Sequence, residues 1–408
     1  MELTIARTGV LLLLIAAVVA MVARRLRLPY SVGLVVAGMA LSLFPFSPHV
    51  NLTQELLFGA LLPPLIFQAA LSLRWSELRR DLSVILVLAT AGVLVSAAIA
   101  AVGMHAFAQW PWLSAVTFGI LIAATDPVSV IATFREAGVH GRLGLLLEAE
   151  SLFNDGTAAV GFSVAIAVAA GQQMGGLNVL ATALVNMGGG LLCGALVAGV
   201  ILSLVQRTED HLVELTFTTV AAYGSFLLAQ HFQVSGVFAT LTAGLMLGSL
   251  GALGTLSERG KEAVQAFWEY AAFLANALVF LLIGMQETTQ NFRAALLMAL
   301  TGIVLVMLGR AAAVYPICLL FLRSSRRVAA SHQHVLFWGG LRGGLALALA
   351  LGLPPEMPFR ADIVTVSFAV VAFSVFVQGL TMTPFLRALG EIPSAPSGEA
   401  RSAERAAR

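Results

Sequence analysis

The sequence predicts an all-α polytopic membrane protein of about thirteen transmembrane helices, arranged as two inverted six-helix repeats with discontinuous helices 5 and 12. Three observations predict it. Of 408 residues, 59% are apolar and only 11% are charged, less than half the roughly 25% charge of an ordinary soluble domain. The apolar residues gather in runs matched to a ~30 Å hydrocarbon core, which takes about 20 residues of helix to cross. The basic residues fall on alternate sides of successive runs. A soluble enzyme, a disordered scaffold and a nucleic-acid binder are excluded, and the formal net charge is only +2.

Taken in order, the first run is 7–23. Arg24, Arg25 and Arg27 follow it directly, a stop-transfer pattern rather than a cleavage site, so a retained helix is expected. The second run, 29–44, is short. The next four are 53–73, 82–107, 113–134 and 145–170. The seventh, 177–205, is long enough to tilt. Then come 211–230, 234–250 and 262–285, a second long run at 294–322, and finally 331–353 and 361–386. Beyond residue 388 the chain turns polar, through Glu391, Pro393, Ser394 and Pro396, and 389–408 reads as a short flexible cytoplasmic tail. No linker separates soluble domains, so residues 1–388 form one transmembrane unit.

Topology follows from the basic residues. The loops after odd-numbered runs and the tail hold 18 of the 23 Lys and Arg residues. The opposite side holds Arg7, Arg293 and Arg360. Cytoplasmic loops collect Lys and Arg, so the N-terminus is expected outside and the C-terminus in the cytoplasm of a multi-pass plasma-membrane protein. Arg310 and Arg342 fall within runs. Cys193 and Cys318 also lie within apolar runs and make neither a disulfide framework nor a Cys-based zinc site.

Charge at mid-bilayer costs at least about 2.5–3.5 kcal/mol per residue on insertion scales and marks functional candidates. The carboxylates concerned are Asp126, Glu148, Glu150, Asp155 and Glu269. Asp126 sits in Ala124-Thr125-Asp126-Pro127, where Pro127 removes a donor and pushes the preceding residue out of helical angles. The fifth helix is therefore expected to break there. Asp155 sits in Glu150-Ser151-Leu152-Phe153-Asn154-Asp155, and Ser151, Asn154 and Asp155 share one face of a helix. Asp126 and Asp155 lie ~12 and ~15 Å from the cytoplasmic ends of consecutive antiparallel helices, at 1.5 Å per residue, so they meet near the midplane.

The twelfth run carries Gly339-Gly340-Leu341-Arg342-Gly343-Gly344, and four glycines weaken a helix by about 1 kcal/mol each. Interrupted helices at corresponding positions of two inverted halves point to a transport site. The oxygen ligands on offer, from Asp126, Asp155, Asn154, Thr125 and Ser151, suit a hard cation. Zinc would want His or Cys, and the seven histidines (His49, His105, His140, His211, His231, His332 and His334) lie at run ends or in loops. Arg310 needs a buried anion, and Glu150 is the evident partner, with Arg342 a second claimant or a charge balance at the broken helix. Glu148 and Glu269 lie close enough to run ends for a structural or entrance role.

These residues resemble the monovalent cation:proton antiporter-1 family, the sodium/proton exchangers. The resemblance rests on Pro63-Pro64-Leu65-Ile66-Phe67, Thr125-Asp126-Pro127, Glu150-Ser151-Leu152-Phe153-Asn154-Asp155, Asn276-Ala277-Leu278-Val279-Phe280 with Gly284, and Gly339-Gly340-Leu341-Arg342-Gly343. It implies a homodimer in membrane lipid. It implies an interface part at about 1–73 and 177–285, and a mobile transport core at about 82–170 and 294–386. It further implies that Asp155 carries proton and cation in turn, with Asp126, Thr125, Ser151 and Asn154 around it, and that Glu150 is tied to Arg310. Family members often carry an acid after the Pro-Pro segment, where this chain has Gln68.

The expected mechanism is competition. A cation must displace the proton of a buried acid to bind, and antiport results if only the occupied site changes sides. Asn154 stands where a second acid would add a charge, so, with the resemblance as its basis, one proton per monovalent cation is expected, most readily electroneutral Na+/H+ exchange by alternating access, with no cofactor. Li+ and K+ are the other candidate ions at Asp155, Asp126, Thr125 and Ser151, and K+/H+ exchange is the alternative within this class. An intramembrane aspartyl protease would also pair two acids on neighbouring helices, but its Gly-x-Gly-Asp setting is absent. A passive cation channel would use charge rings or a repeated carbonyl filter, and none is present.

Overall fold

A computed structural model of the chain describes residues 2–26, 29–43, 56–136, 141–172, 175–249, 257–287 and 292–392. Every regular element among these is helical. Each of the thirteen expected runs coincides with one helix or one broken pair: α1 (Glu2–Leu26), α2 (Tyr30–Ser42), α3 (Leu57–Ser72), α4 (Trp75–Ala108), α5a (Trp112–Ala123) with α5b (Val128–Glu136), α6 (Arg142–Ala169), α7 (Gly176–Val205), α8 (His211–His231), α9 (Gly236–Ser249), α10 (Glu258–Glu287), α11 (Phe292–Leu320), α12a (Ala330–Trp338) with α12b (Gly344–Leu351), and α13 (Arg360–Ala388). Seven of these, α4, α6, α7, α8, α10, α11 and α13, contain an apolar stretch long enough to span a membrane unaided. The tail beyond residue 392, His49 and His140 lie outside the described residues.

Helices α4 and α10 start seven and four residues earlier than the apolar runs do, at Trp75 and Glu258. The added turns are polar, Trp75-Ser76-Glu77-Leu78-Arg79-Arg80-Asp81 in α4. Hydropathy registers the stretch inside hydrocarbon and misses a helix that continues into the polar layer. That extra turn has a use. Arg142, the first residue of α6, grips Asp81 with Nε and Nη2 at 2.7–3.1 Å and donates to the carbonyls of Arg326 and Arg327 before α12a. One side chain thus ties α4, α6 and the α11–α12a connection together.

Packing follows the small residues. α2 lies on α10 and α1, α3 on α9 and α10, and α7 on α8 and α9. α4 lies on α5a and α11, α6 on α5a and α4, and α13 on α11 and α12b. At the α2–α10 crossing a Cβ on Gly38 would strike the Leu281 carbonyl, and one on Gly284 would strike that of Val35. Only glycine allows two helix backbones to approach so closely.

Three π-helical turns, Leu57–Leu61 in α3, Leu88–Gly92 in α4 and Ser374–Gly379 in α13, interrupt otherwise regular helices. The first precedes Pro63 and Pro64. Proline has no N–H, so Pro64 leaves the carbonyl of Ala60 without its helical donor. Tyr223 of α8 supplies one, its hydroxyl 3.1 Å from that oxygen.

Candidate functional site

The chain of α5 leaves helical geometry at Ala124 (φ −57°, ψ 136°) and re-enters it at Val128, as the Asp-Pro step requires. The chain of α12 leaves at Gly339 and re-enters at Gly344. The two breaks touch: the Asp126 N–H donates to the Leu341 carbonyl at 2.7 Å. A broken helix leaves carbonyls at one end and N–H groups at the other without intrahelical partners, and most of the site consists of how those groups are satisfied.

The carbonyl ends are capped by arginines. Arg342 Nη1 donates to the carbonyls of Ala123 (2.6 Å) and Ala124 (3.0 Å), which close α5a. Arg310 of α11 donates through Nε and Nη2 to the Leu336 carbonyl of α12a, at 3.2 and 2.9 Å. Trp338, the last residue of α12a, has its carbonyl met by Gln378 Nε2 at 2.9 Å, from the π-turn of α13. Positive charge at a helix C-terminus complements its dipole, so both breaks are held electrostatically as well as by hydrogen bonds.

Glu150 takes the rest of the Arg310 guanidinium, with Oε1 2.7 Å from Nη1 and Oε2 3.0 Å from Nη2. Of the two arginines considered from sequence, Arg310 is the ion-pair partner and Arg342 the helix cap. Asn154 then joins this pair to the α5 break. Its Nδ2 donates to Thr125 Oγ1 (2.6 Å) and Glu150 Oε1 (3.2 Å), and its Oδ1 accepts the Thr125 N–H (3.2 Å). Ser151 Oγ donates to the Thr125 carbonyl at 2.6 Å.

A cavity of about 850 Å³ reaches these residues. Thr125, Asp126, Ser151 and Asp155 line it, with Gln68 of α3, Glu148 of α6, and Glu269 and Asn276 of α10. Its lining includes four carboxylates and no Lys, Arg or His side chain. Asp155 Oδ1 is buried and accepts no hydrogen bond from the protein. Four of the five residues expected around the ion therefore share one cavity. Asn154 is fully buried, its amide committed to Thr125 and Glu150, and it does not line the cavity.

The glycines of the α12 break have a second role that helix propensity does not reveal. A Cβ on Gly343 would collide with the Asp126 carboxylate, and one on Gly340 would lie 2.6 Å from Arg310 Nε. They are clearances for two charged groups. With Gly343 preceding α12b, and Pro127 preceding α5b, the Asp126 carboxylate sits beside two helix N-termini, where negative charge is favoured. Gln378, the Leu336 carbonyl and these clearances carry no signal in a linear reading.

The profile described as "Sodium/hydrogen exchanger, transmembrane" matches residues 10–388. The Na(+)/H(+) antiporter ApNhaP of Aphanothece halophytica is 38% identical over 368 residues, covering 90% of this chain and 70% of the relative. The Na(+)/H(+) antiporter NhaH of Halobacillus aidingensis is 34% identical over 395 residues, covering 93% of this chain and 96% of the relative. The solved structure of the sodium proton antiporter MjNhaP1 from Methanocaldococcus jannaschii at pH 8 superimposes with a TM-score of 0.77 at 23% identity, over 96% of this chain and all of that one.

Proposed function

Because this chain belongs to the transmembrane sodium/hydrogen exchanger family, we propose that it exchanges Na+ for H+ across the plasma membrane, with Asp155 binding either ion in turn. It is a transporter rather than an enzyme. The observation that carries the assignment to Asp155 is its buried Oδ1 without a protein donor, in a cavity that also exposes Asp126, Thr125 and Ser151. A buried carboxylate oxygen left without a donor is unfavourable, and either a proton or a cation relieves it.

The local charge supports one-for-one exchange. Within the cluster of Asp126, Glu150, Asp155, Arg310 and Arg342, three acids against two bases leave one negative charge, with Glu148 and Glu269 of the cavity lining outside that sum. A single Na+ or a single proton neutralises it, and both together would overshoot. A neutral loaded site crosses the membrane interior far more easily than a charged empty one, so loaded states change sides and the empty state does not. The side-chain oxygens of Asp155, Asp126, Thr125 and Ser151 are the ligands in this reading. Asn154, Glu150 and Arg310 hold the α5 break in shape, and Arg342 balances charge.

Alternating access requires two bodies. The packing pairs support a core of α4–α6 and α11–α13 moving against α1–α3 and α7–α10, with the cavity along the boundary. The second set is also the part through which a homodimer would form, with the N-terminus outside and the C-terminus in the cytoplasm.

Reconstituted vesicles carrying a pH gradient test this proposal. Added Na+ is expected to discharge the gradient for the wild type, and Li+ and K+ added in turn define the selectivity. Asp155→Asn is expected to discharge nothing with any of the three. Robust exchange by that variant overturns the assignment.

A further inference from the structure

The glycines at which an added Cβ would strike the backbone of a neighbouring helix all lie inside one set of helices or the other, although further glycines inside each set face side chains, as Gly103 faces Leu305, Gly302 faces Val366 and Gly236 faces Phe226. A Cβ added at Gly38, Gly194, Gly248 or Gly284 would strike a backbone carbonyl of a neighbouring helix, and all four lie within α1–α3 and α7–α10. Gly119 and Gly309 would do the same within α4–α6 and α11–α13, against the carbonyls of Ala97 and Ser96. Such crossings interlock two backbones and have no freedom to slide without losing contact.

Among the described residues, the glycines that face from one set to the other meet no backbone there. Gly156 of α6 faces the Phe238 ring of α9, where a Cβ would lie 2.7 Å from Cε2 and from Cζ. Gly344 of α12b faces the Val279 side chain of α10, and Gly379 of α13 faces Val32 of α2 at 3.7 Å. Each of these partners is a side-chain carbon, and side chains change rotamer where carbonyls cannot. Two side-chain hydrogen bonds across the same boundary, Ser72–Glu148 and Asn186–Ser163, are long at 3.4 Å each, while at the end of α9 Ser249 Oγ accepts the Trp75 N–H of α4 at 3.0 Å. Phe238 is itself buried and leans on Gly190 of α7, so its ring has backing on the stationary side.

We propose that Gly156 and Phe238 form a bearing: the smooth face that Gly156 gives α6, next to Asp155, passes the Phe238 ring each time the core changes sides, and this contact sets the turnover rate. Gly344 against Val279 is the corresponding contact at the start of α12b. The inference rests on the alternating-access reading above and adds the residues that govern its speed. Neither Gly156 nor Phe238 touches the ion in this account. Changing them alters how fast the loaded core moves and leaves the ion's ligands in place.

The test is Na+/H+ exchange in vesicles, with maximal rate and half-saturating Na+ measured separately. Gly156→Ala is expected to lower the maximal rate at least tenfold and to leave half-saturating Na+ within twofold. Phe238→Leu on that background is expected to return the rate to within threefold of wild type. Gly161→Ala, one and a half turns along and facing Ile120 of α5a inside the core, is expected to change neither number by more than twofold. If Gly156→Ala does not fold, Phe238→Trp serves instead, with the same slowing at unchanged half-saturation. A wild-type rate in Gly156→Ala or Phe238→Trp, a rise in half-saturating Na+ in place of slowing, or failure of Phe238→Leu to rescue each overturns the bearing. A wild-type protein that moves no protons against any cation instead defeats the exchange reading itself.

Discussion

Arg310 and Glu150 meet fork to fork inside the protein, with Nη1–Oε1 at 2.7 Å, Nη2–Oε2 at 3.0 Å, and exposures of 5% and 1%. The pair joins three elements: Glu150 belongs to α6, Arg310 to α11, and the guanidinium also closes α12a through the Leu336 carbonyl. Removing one partner of such a pair leaves an uncompensated buried charge, at about 3–5 kcal/mol. Glu150→Gln and Arg310→Met are each expected to lower the unfolding temperature sharply and to abolish exchange. The double variant is expected to recover much of the stability, since a buried ion pair is often no more stable than apolar residues of similar volume. Thermal unfolding of the purified variants checks this, and additive losses in the double variant would contradict it.

The glycine clearances make separable predictions. Gly343→Ala drives a methyl group into the Asp126 carboxylate, so half-saturating Na+ is expected to rise at least tenfold in a protein that still folds. Gly340→Ala presses on Arg310 instead, and its first effect is expected on stability, by about 1–3 kcal/mol as for other overpacked sites. Transport assays and melting curves on the two variants distinguish these outcomes.

Asn154→Leu is close in size and removes three hydrogen bonds, those to the Thr125 N–H, Thr125 Oγ1 and Glu150 Oε1. A buried N–H left unpaired costs about 1–3 kcal/mol. The variant is expected to unfold at a lower temperature and to bind Na+ less tightly, because the α5 break that presents Thr125 and Asp126 loses its brace. Unchanged stability would mean that the brace is dispensable.

Competition at one acid fixes the sign of the pH dependence. Protons occupy the site in place of Na+, so half-saturating Na+ rises as pH falls, approaching about tenfold per pH unit where the proton dominates, as mass action requires. The maximal rate at saturating Na+ is expected to change far less. Initial rates over a grid of pH and Na+ concentration test this, and a half-saturation constant independent of pH would rule out a shared site.

The linear sequence made the spans legible because a bilayer imposes one length on every crossing and arginines mark the ends. Both breaks were legible for a local reason, proline after Asp126 and clustered glycines around Arg342. Asp126 and Asp155 were placed together by rise per residue alone. What stayed hidden depends on contacts between distant elements. Asn154 lies on the same helix face as Asp155, and periodicity cannot tell that its amide turns to Glu150 and Thr125. Gln378 reaches the Trp338 carbonyl because a π-turn rotates it there, and Arg342 finds two carbonyls 219 and 218 positions away. Neither leaves a local pattern.

Displacement of the Asp155 proton by Na+ has a fixed stoichiometry. Calorimetric titration of the purified protein with Na+, in buffers of different ionisation enthalpy, counts the protons released per ion bound. Close to one proton per Na+ is expected for the wild type, and neither binding heat nor proton release for Asp155→Asn. Na+ binding to the wild type without proton release, or equal release from the variant, rules displacement at Asp155 out.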